Sequence, residues 1–280
     1  MTRRTAILTI GAALLALTGC AMNHGYTARD SRKGLVLVLP GIEGRSLWNE
    51  RIARGLIEGG VMSHVEIYDW TTQVPGNFLG NLAMLDRNRD EAAKLAKRIL
   101  EYRDANPGAP IHLVGHSGGA GIAILALEAL PPGRQIDMAM LLAPAISPNY
   151  DLSTALRRTR SGIINFYSEH DLSLQVGTSV FGTIDRNTGP SAGAIGFDRP
   201  ADLDDANSRL YDKRLRQVRW TRRLKSRGAD GTHVGWATRT FAREYLAPMI
   251  IANESREALD RWLTSDKVAA DSEEPEVSAE

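Results

Sequence analysis

Leu35-Val36-Leu37-Val38-Leu39 is an unbroken apolar run stopped by Pro40-Gly41. A strand with one face in water alternates apolar and polar residues, whereas a run with no polar position needs cover on both faces. That places it inside a layered sheet, and the rest of the chain supplies the layers. Ser46 is placed to cap a helix from Leu47 to about Glu58, closed by Gly59-Gly60. Val65 to Trp70 reads as the next strand. From Asp90 to Arg103, Ala92, Leu95, Ala96 and Ile99 share one helical face, with Asp90 and Lys94 one turn apart, and Asn106-Pro107-Gly108 ends the pattern. Ile111 to Val114 is a short central strand, followed by a helix from about Gly119 to Leu130. Strands are expected at Met138 to Leu142, Ile163 to Tyr167 and Gln217 to Trp220, with a final covering helix over Arg239 to Tyr245. The alternation predicts an α/β fold, a mostly parallel central sheet with helices on both faces, and shows no internal repeat.

The first residues differ in kind. Arg3 and Arg4 precede an apolar stretch from Ala6 to Leu17 that is short for a permanent bilayer span and lacks the polar face of a core helix. Leu17-Thr18-Gly19-Cys20 contains the only cysteine and resembles the lipobox of bacterial lipoproteins. The resemblance implies a signal peptide over residues 1–19, lipidation of Cys20, and a lipid-anchored spacer over 20–33, so that a membrane holds the exported protein in the cell envelope. Ala21 after the cysteine favours the outer membrane by the same resemblance. The main domain is expected over 34–264. Beyond it, 265–280 is acidic and poor in apolar residues, a composition expected to stay disordered.

Hydrophobic residues make up 43% of the chain and charged ones 24%, which suits a packed globular domain and not a polytopic membrane protein. Lysine plus arginine (34) nearly balances aspartate plus glutamate (33), leaving no overall positive field for nucleic acid. A single cysteine excludes an intramolecular disulfide and a cysteine-based zinc site. The six histidines show no metal-ligand spacing, so neither metal nor other cofactor is implied.

The strand Ile111 to Val114 runs directly into Gly115-His116-Ser117-Gly118-Gly119 and then an apolar helix. A serine there sits on a tight turn at a helix N-terminus, where backbone N–H groups and the positive end of the helix dipole favour developing negative charge. The flanking glycines permit the sharp turn and the close approach of helix to strand. This Gly-x-Ser-x-Gly elbow, in its strand-turn-helix setting, resembles that of the α/β-hydrolase family. The resemblance extends over roughly Lys33 to Ile251 through three further segments in the family's chain order.

The resemblance implies that Ser117 is the nucleophile and that the Gly118 N–H is one oxyanion donor. The loop Pro40-Gly41-Ile42-Glu43-Gly44, after the first strand, would supply the second donor, with Ile42 as candidate and Glu43 next; it departs from the family's His-Gly-Gly-Gly form. Ser168-Glu169-His170-Asp171 would supply the acid: Asp171 fits the family spacing best and Glu169 is the alternative. Gly231-Thr232-His233-Val234-Gly235-Trp236 would supply His233 as general base. The other histidines have weaker claims. His24 lies in the spacer, His64 before a strand, and His170 between two acids, while His112 and His116 are assigned structural or pocket-lining roles.

The expected activity is hydrolysis of an acyl bond in a small-molecule substrate, most readily an ester, through an acyl-serine intermediate. The same residues suit a serine peptidase or acyltransferase, and a catalytically silent lipoprotein that binds an envelope partner would share the fold. The short connection from Ala143 to Gly162 leaves no room for a large separate lid domain. The glycine-rich stretch from Leu172 to Arg209 is open to two readings, a flap over the site or an irregular surface excursion. Oligomeric state leaves no mark in the sequence.

Overall fold

The computed structural model describes residues 31–253 apart from 75 and 172–182. The segments assigned to signal peptide, Cys20 and acidic tail therefore lie outside the described residues. Leu35–Leu39 forms β1 with every side chain buried. Leu35, Leu37 and Leu39 enter one hydrophobic core, whereas Val36 and Val38 enter another on the opposite face. This is the period of two that a doubly covered strand imposes. Each such leucine removed from water contributes about 2 kcal/mol.

Six parallel strands pair in the order β2-β1-β3-β4-β5-β6. They are β1, β2 (His64–Ile67), β3 (Ile111–His116), β4 (Ile136–Leu142), β5 (Thr159–Tyr167) and β6 (Leu215–Arg219). The order reverses between β1 and β3, so the loops leaving their C-terminal ends diverge and open a crevice there. Those loops carry the Pro40-Gly41 turn and the Ser117 elbow.

On one face, Ile52, Ala53 and Leu56 of α1 (Leu47–Glu58) pack with Phe241, Tyr245, Met249 and Ile250 from the C-terminal helices. On the other lie α3 (Leu85–Ala105), α4 (Gly118–Ala129) and α5 (Ser153–Arg157), with α2 (Phe78–Ala83) preceding α3. The predicted capping of α1 is present: Ser46 Oγ accepts from Trp48 N–H, and Asn49 completes a capping box. α4 is buried from Gly118 to Leu127, as its apolar circumference requires.

Several boundaries differ from the sequence expectation. The second strand ends at Ile67, not Trp70, because the chain leaves the sheet and inserts the Trp70 ring into the core. α3 begins before Asp90, where Asn88 is buried and donates to the Asn81 carbonyl at 2.9 Å. The final helix continues past Tyr245. After α8 (Arg239–Phe241) it widens into a π turn over Ala242–Leu246 and resumes as α9 (Ala247–Asn253). Pro248 has no N–H for the carbonyl four residues back, and the wider turn falls where that bond is missing.

The stretch after Asp171 is anchored from residue 183 onward. Ile184 is buried and its N–H donates to the Ala145 carbonyl at 2.9 Å. Asp185 accepts from Ser147 N–H at 3.0 Å. α6 (Ala192–Ile195) lies against the end of β5, with Ser168 N–H donating to the Gly193 carbonyl at 2.9 Å. α7 (Asp205–Arg214) covers the sheet beyond it through buried Tyr211. The described part is thus a pinned excursion, and no separate lid domain occurs among the described residues. No described helix is long and apolar enough to cross a membrane.

Candidate active site

Ser117 sits between β3 and α4 with φ 54° and ψ −121°, a left-handed conformation that a non-glycine residue holds at a cost of about 1–3 kcal/mol. Hydrogen bonds on both sides hold it there: Ser117 N–H donates to the Leu142 carbonyl at 2.9 Å, and its own carbonyl accepts from Ala145 N–H at 3.1 Å. The elbow also needs close backbone approach. A β-carbon on Gly115 would lie 2.6 Å from Ala120 Cα, and one on Gly119 would lie 2.5 Å from the Leu39 carbonyl oxygen. Ser117 is 6% exposed.

Gly118 opens α4, so its N–H has no partner within the helix. The loop after β1 folds over it: a β-carbon on Gly118 would lie 2.9 Å from Ile42 Cγ2. The structure thus brings Ile42 and Gly118 together. Trp70 Nε1–H donates to the Pro40 carbonyl at 2.7 Å, and Asn81 Nδ2–H donates to the Ile42 carbonyl at 2.8 Å. Arg87 in turn donates to the Trp70 carbonyl at 2.6 Å. Sequence reasoning missed Trp70 and Asn81, which lie 30 and 39 residues from the carbonyls they hold.

Glu43 lies beside this turn with Oε1 accepting from Ser46 Oγ–H at 3.2 Å. Burial pushes its carboxyl above the ordinary glutamate range, against the opposing hydrogen bonds and the charge of nearby His233. A cleft of about 510 Å³ opens next to Ile42 and Glu43, with Asp69, Thr71, Val74 and Phe78 among its walls. Ser117 and His233 do not line it.

His233 Nδ1 and Asp171 Oδ2 are 2.7 Å apart, with the Asp171 side chain fully buried and that of His233 19% exposed. The loops carrying them are tied together by Ser168 Oγ–H, which donates to the Gly231 carbonyl at 2.7 Å. Asp230 shapes the histidine loop by accepting from Thr232 N–H at 2.9 Å. Glu169 points elsewhere, to Arg219 at 2.6 Å on the surface. Of the two acids offered by the sequence, Asp171 alone makes the contact with His233.

His116 is buried, with its ring centroid 4.8 Å from that of His233 and its Nε2 3.0 Å from the His233 carbonyl oxygen. Burial, reinforced by the His233 charge, pushes its pKa down to about 3. His112 is also buried, beside Asn253 at 3.0 Å, and burial pushes it down to about 4. His170 packs on Trp220 and His64 begins β2, while His24 lies outside the described residues. Among the described residues no group of three or more histidine, cysteine or acidic side chains could hold a metal ion.

No protein-family model and no curated protein matches the chain. Solved structures similar to it include Est1E from Butyrivibrio proteoclasticus, at 12% identity and a TM-score of 0.47, covering 81% of this chain and 90% of that one. Esterase B from Lactobacillus Rhamnosis is 10% identical with a TM-score of 0.46, covering 87% and 80%. A dienelactone hydrolase from Anabaena variabilis is 14% identical with a TM-score of 0.41, covering 83% and 88%. The chain's own topology and side-chain geometry, rather than these likenesses, carry the functional reading.

Proposed function

We propose that this chain is a serine hydrolase of α/β-hydrolase type that cleaves an acyl bond, with a carboxylic ester as the substrate class, and that it needs no cofactor. The observation that carries the reading is the 2.7 Å contact of His233 Nδ1 with buried Asp171, beside a serine elbow strained to a positive φ. With Nδ1 engaged by the carboxylate, Nε2 is the nitrogen left to take the Ser117 proton. Ser117 Oγ then attacks the acyl carbon, and the negative charge on its oxygen falls to the N–H groups of Gly118 and Ile42. Protonated His233, stabilised by Asp171, returns the proton to the leaving alcohol. Water, activated by the same imidazole, releases the acid and restores Ser117.

Labelling with a fluorophosphonate probe tests the reading on the domain without its first 20 residues. Labelling of the parent is expected, with none in folded Ser117→Ala and a strong reduction in His233→Ala. If the folded parent does not label, a silent binding protein becomes the better reading. Leu17-Thr18-Gly19-Cys20 supports the further proposal that Cys20 is lipidated and holds the enzyme in the cell envelope. Metabolic incorporation of an alkyne fatty acid, lost in Cys20→Ser, is the expected result.

A further inference from the structure

We infer that His116, the variable residue of the elbow, is a positioning residue: its side chain fixes the main chain of residue 233 and thereby aims the general base at Ser117. The inference rests on the serine-hydrolase reading. A carbonyl oxygen only accepts, so at 3.0 Å from the His233 oxygen His116 Nε2 must carry the proton. That tautomer leaves Nδ1 as a lone-pair nitrogen, and Nδ1 is buried with no hydrogen-bond partner among the described residues. An apolar residue at 116 would remove that unpaired atom and would pack in an already buried place. What histidine adds is a rigid N–H reaching across to the loop of the general base, and a ring face against the imidazole it holds, tilted by 39°.

The two ends of His233 are therefore held separately. Asp171 holds the side chain through Nδ1, and His116 holds the backbone through the carbonyl. Because His116 is bonded in sequence to Ser117, the second tie measures the base directly from the nucleophile. Any movement of the elbow carries the His233 loop with it. A displacement of about 1 Å between groups that must transfer a proton lowers the rate by about 10²-fold.

The test compares His116→Gln, whose amide N–H can occupy the place of Nε2–H, with His116→Asn, whose amide falls short of the carbonyl, and His116→Leu, which has no donor. Thermal melting establishes which variants fold, and Asn serves if Leu does not. Two readouts are taken: p-nitrophenyl acetate hydrolysis with fluorophosphonate labelling rate, and the downfield NMR resonance of the His233 Nδ1 proton shared with Asp171. Expected are a fall in kcat and labelling of about 10²-fold with KM little changed in Leu and Asn, loss of the resonance by faster exchange, and recovery of both in Gln. Parental rates and an intact resonance in folded Leu or Asn overturn the inference, as does failure of Gln to recover them. If the parent neither hydrolyses nor labels, the hydrolase reading fails on its own. The resonance then decides the positioning: its loss in Leu or Asn with return in Gln supports it, and its persistence refutes it.

Discussion

His112 lies at the start of β3, at the opposite end of the strand from the Ser117 elbow, fully buried, with its pKa pushed down to about 4 by burial, an effect the charge of Asp137 only partly opposes. In the unfolded chain the same imidazole titrates at its ordinary value of 6.5. Between those two values the unfolded state binds a proton that the folded state refuses, so stability rises with pH there and is lost as pH falls through the window. A separation of about 2.5 units at 1.36 kcal/mol per unit gives about 3 kcal/mol of lost stability on going from pH 7 to pH 4. A sizeable part of a domain's stability of about 5–15 kcal/mol is at stake. Other groups titrate in the same range, so the contribution is isolated by difference. His112→Gln does not titrate, and its amide oxygen can accept from Asn253. Guanidinium unfolding of parent and variant at a series of pH values should show the parent losing about 3 kcal/mol more than the variant by pH 4. A difference that stays flat with pH would refute the argument, because it would mean that the imidazole meets water or a counter-charge in the folded protein.

Asp171→Asn should lower kcat by up to about 10⁴-fold, because an amide cannot stabilise the imidazolium or enforce the tautomer. Glu169→Gln should leave hydrolysis near the parent value and cost at most about 1 kcal/mol through its pair with Arg219, which is exposed. Gly119→Ala forces a methyl group against the Leu39 carbonyl and should cost about 1–3 kcal/mol in a thermal melt, with slower fluorophosphonate labelling as the elbow shifts. Trp70→Phe leaves the Pro40 carbonyl without its donor. It should cost about 1–3 kcal/mol and lower kcat through the displaced Ile42 turn, which paired melting and p-nitrophenyl acetate assays would register.

The features legible in the sequence are those whose physical cause is local. An apolar run with no polar interruption fixes a doubly covered strand, and β1 divides its leucines and valines between two cores accordingly. Ser46 announces α1 because a cap needs only its own first turn. The elbow announces itself because glycines at 115 and 119 answer contacts within the same strand-turn-helix unit or with the adjoining β1 turn. Element ends were harder. Val65 to Trp70 keeps a strand-like composition throughout, but Trp70 is worth more to the core as an inserted ring with a bonded N–H than as a sixth strand residue.

The choice between Glu169 and Asp171 shows where local reading stops. Both follow β5 and both are carboxylates; burial against His233 on one side and the Arg219 guanidinium on the other separate them, and both partners come from beyond residue 215. The ties that assemble the site are less visible still, because so many of them end on main-chain carbonyls. Trp70 binds the oxygen of Pro40, Asn81 that of Ile42, Ser168 that of Gly231, and His116 that of His233. Every residue carries such an oxygen, so the acceptor leaves no trace in the sequence, and the donor reads as an ordinary polar or aromatic side chain. In each of these ties the accepting residue contributes only its main-chain oxygen, so the tie itself depends on the side chain of the donor. The positions most sensitive to substitution beyond Ser117, Asp171 and His233 should therefore be Trp70, Asn81, His116 and Ser168.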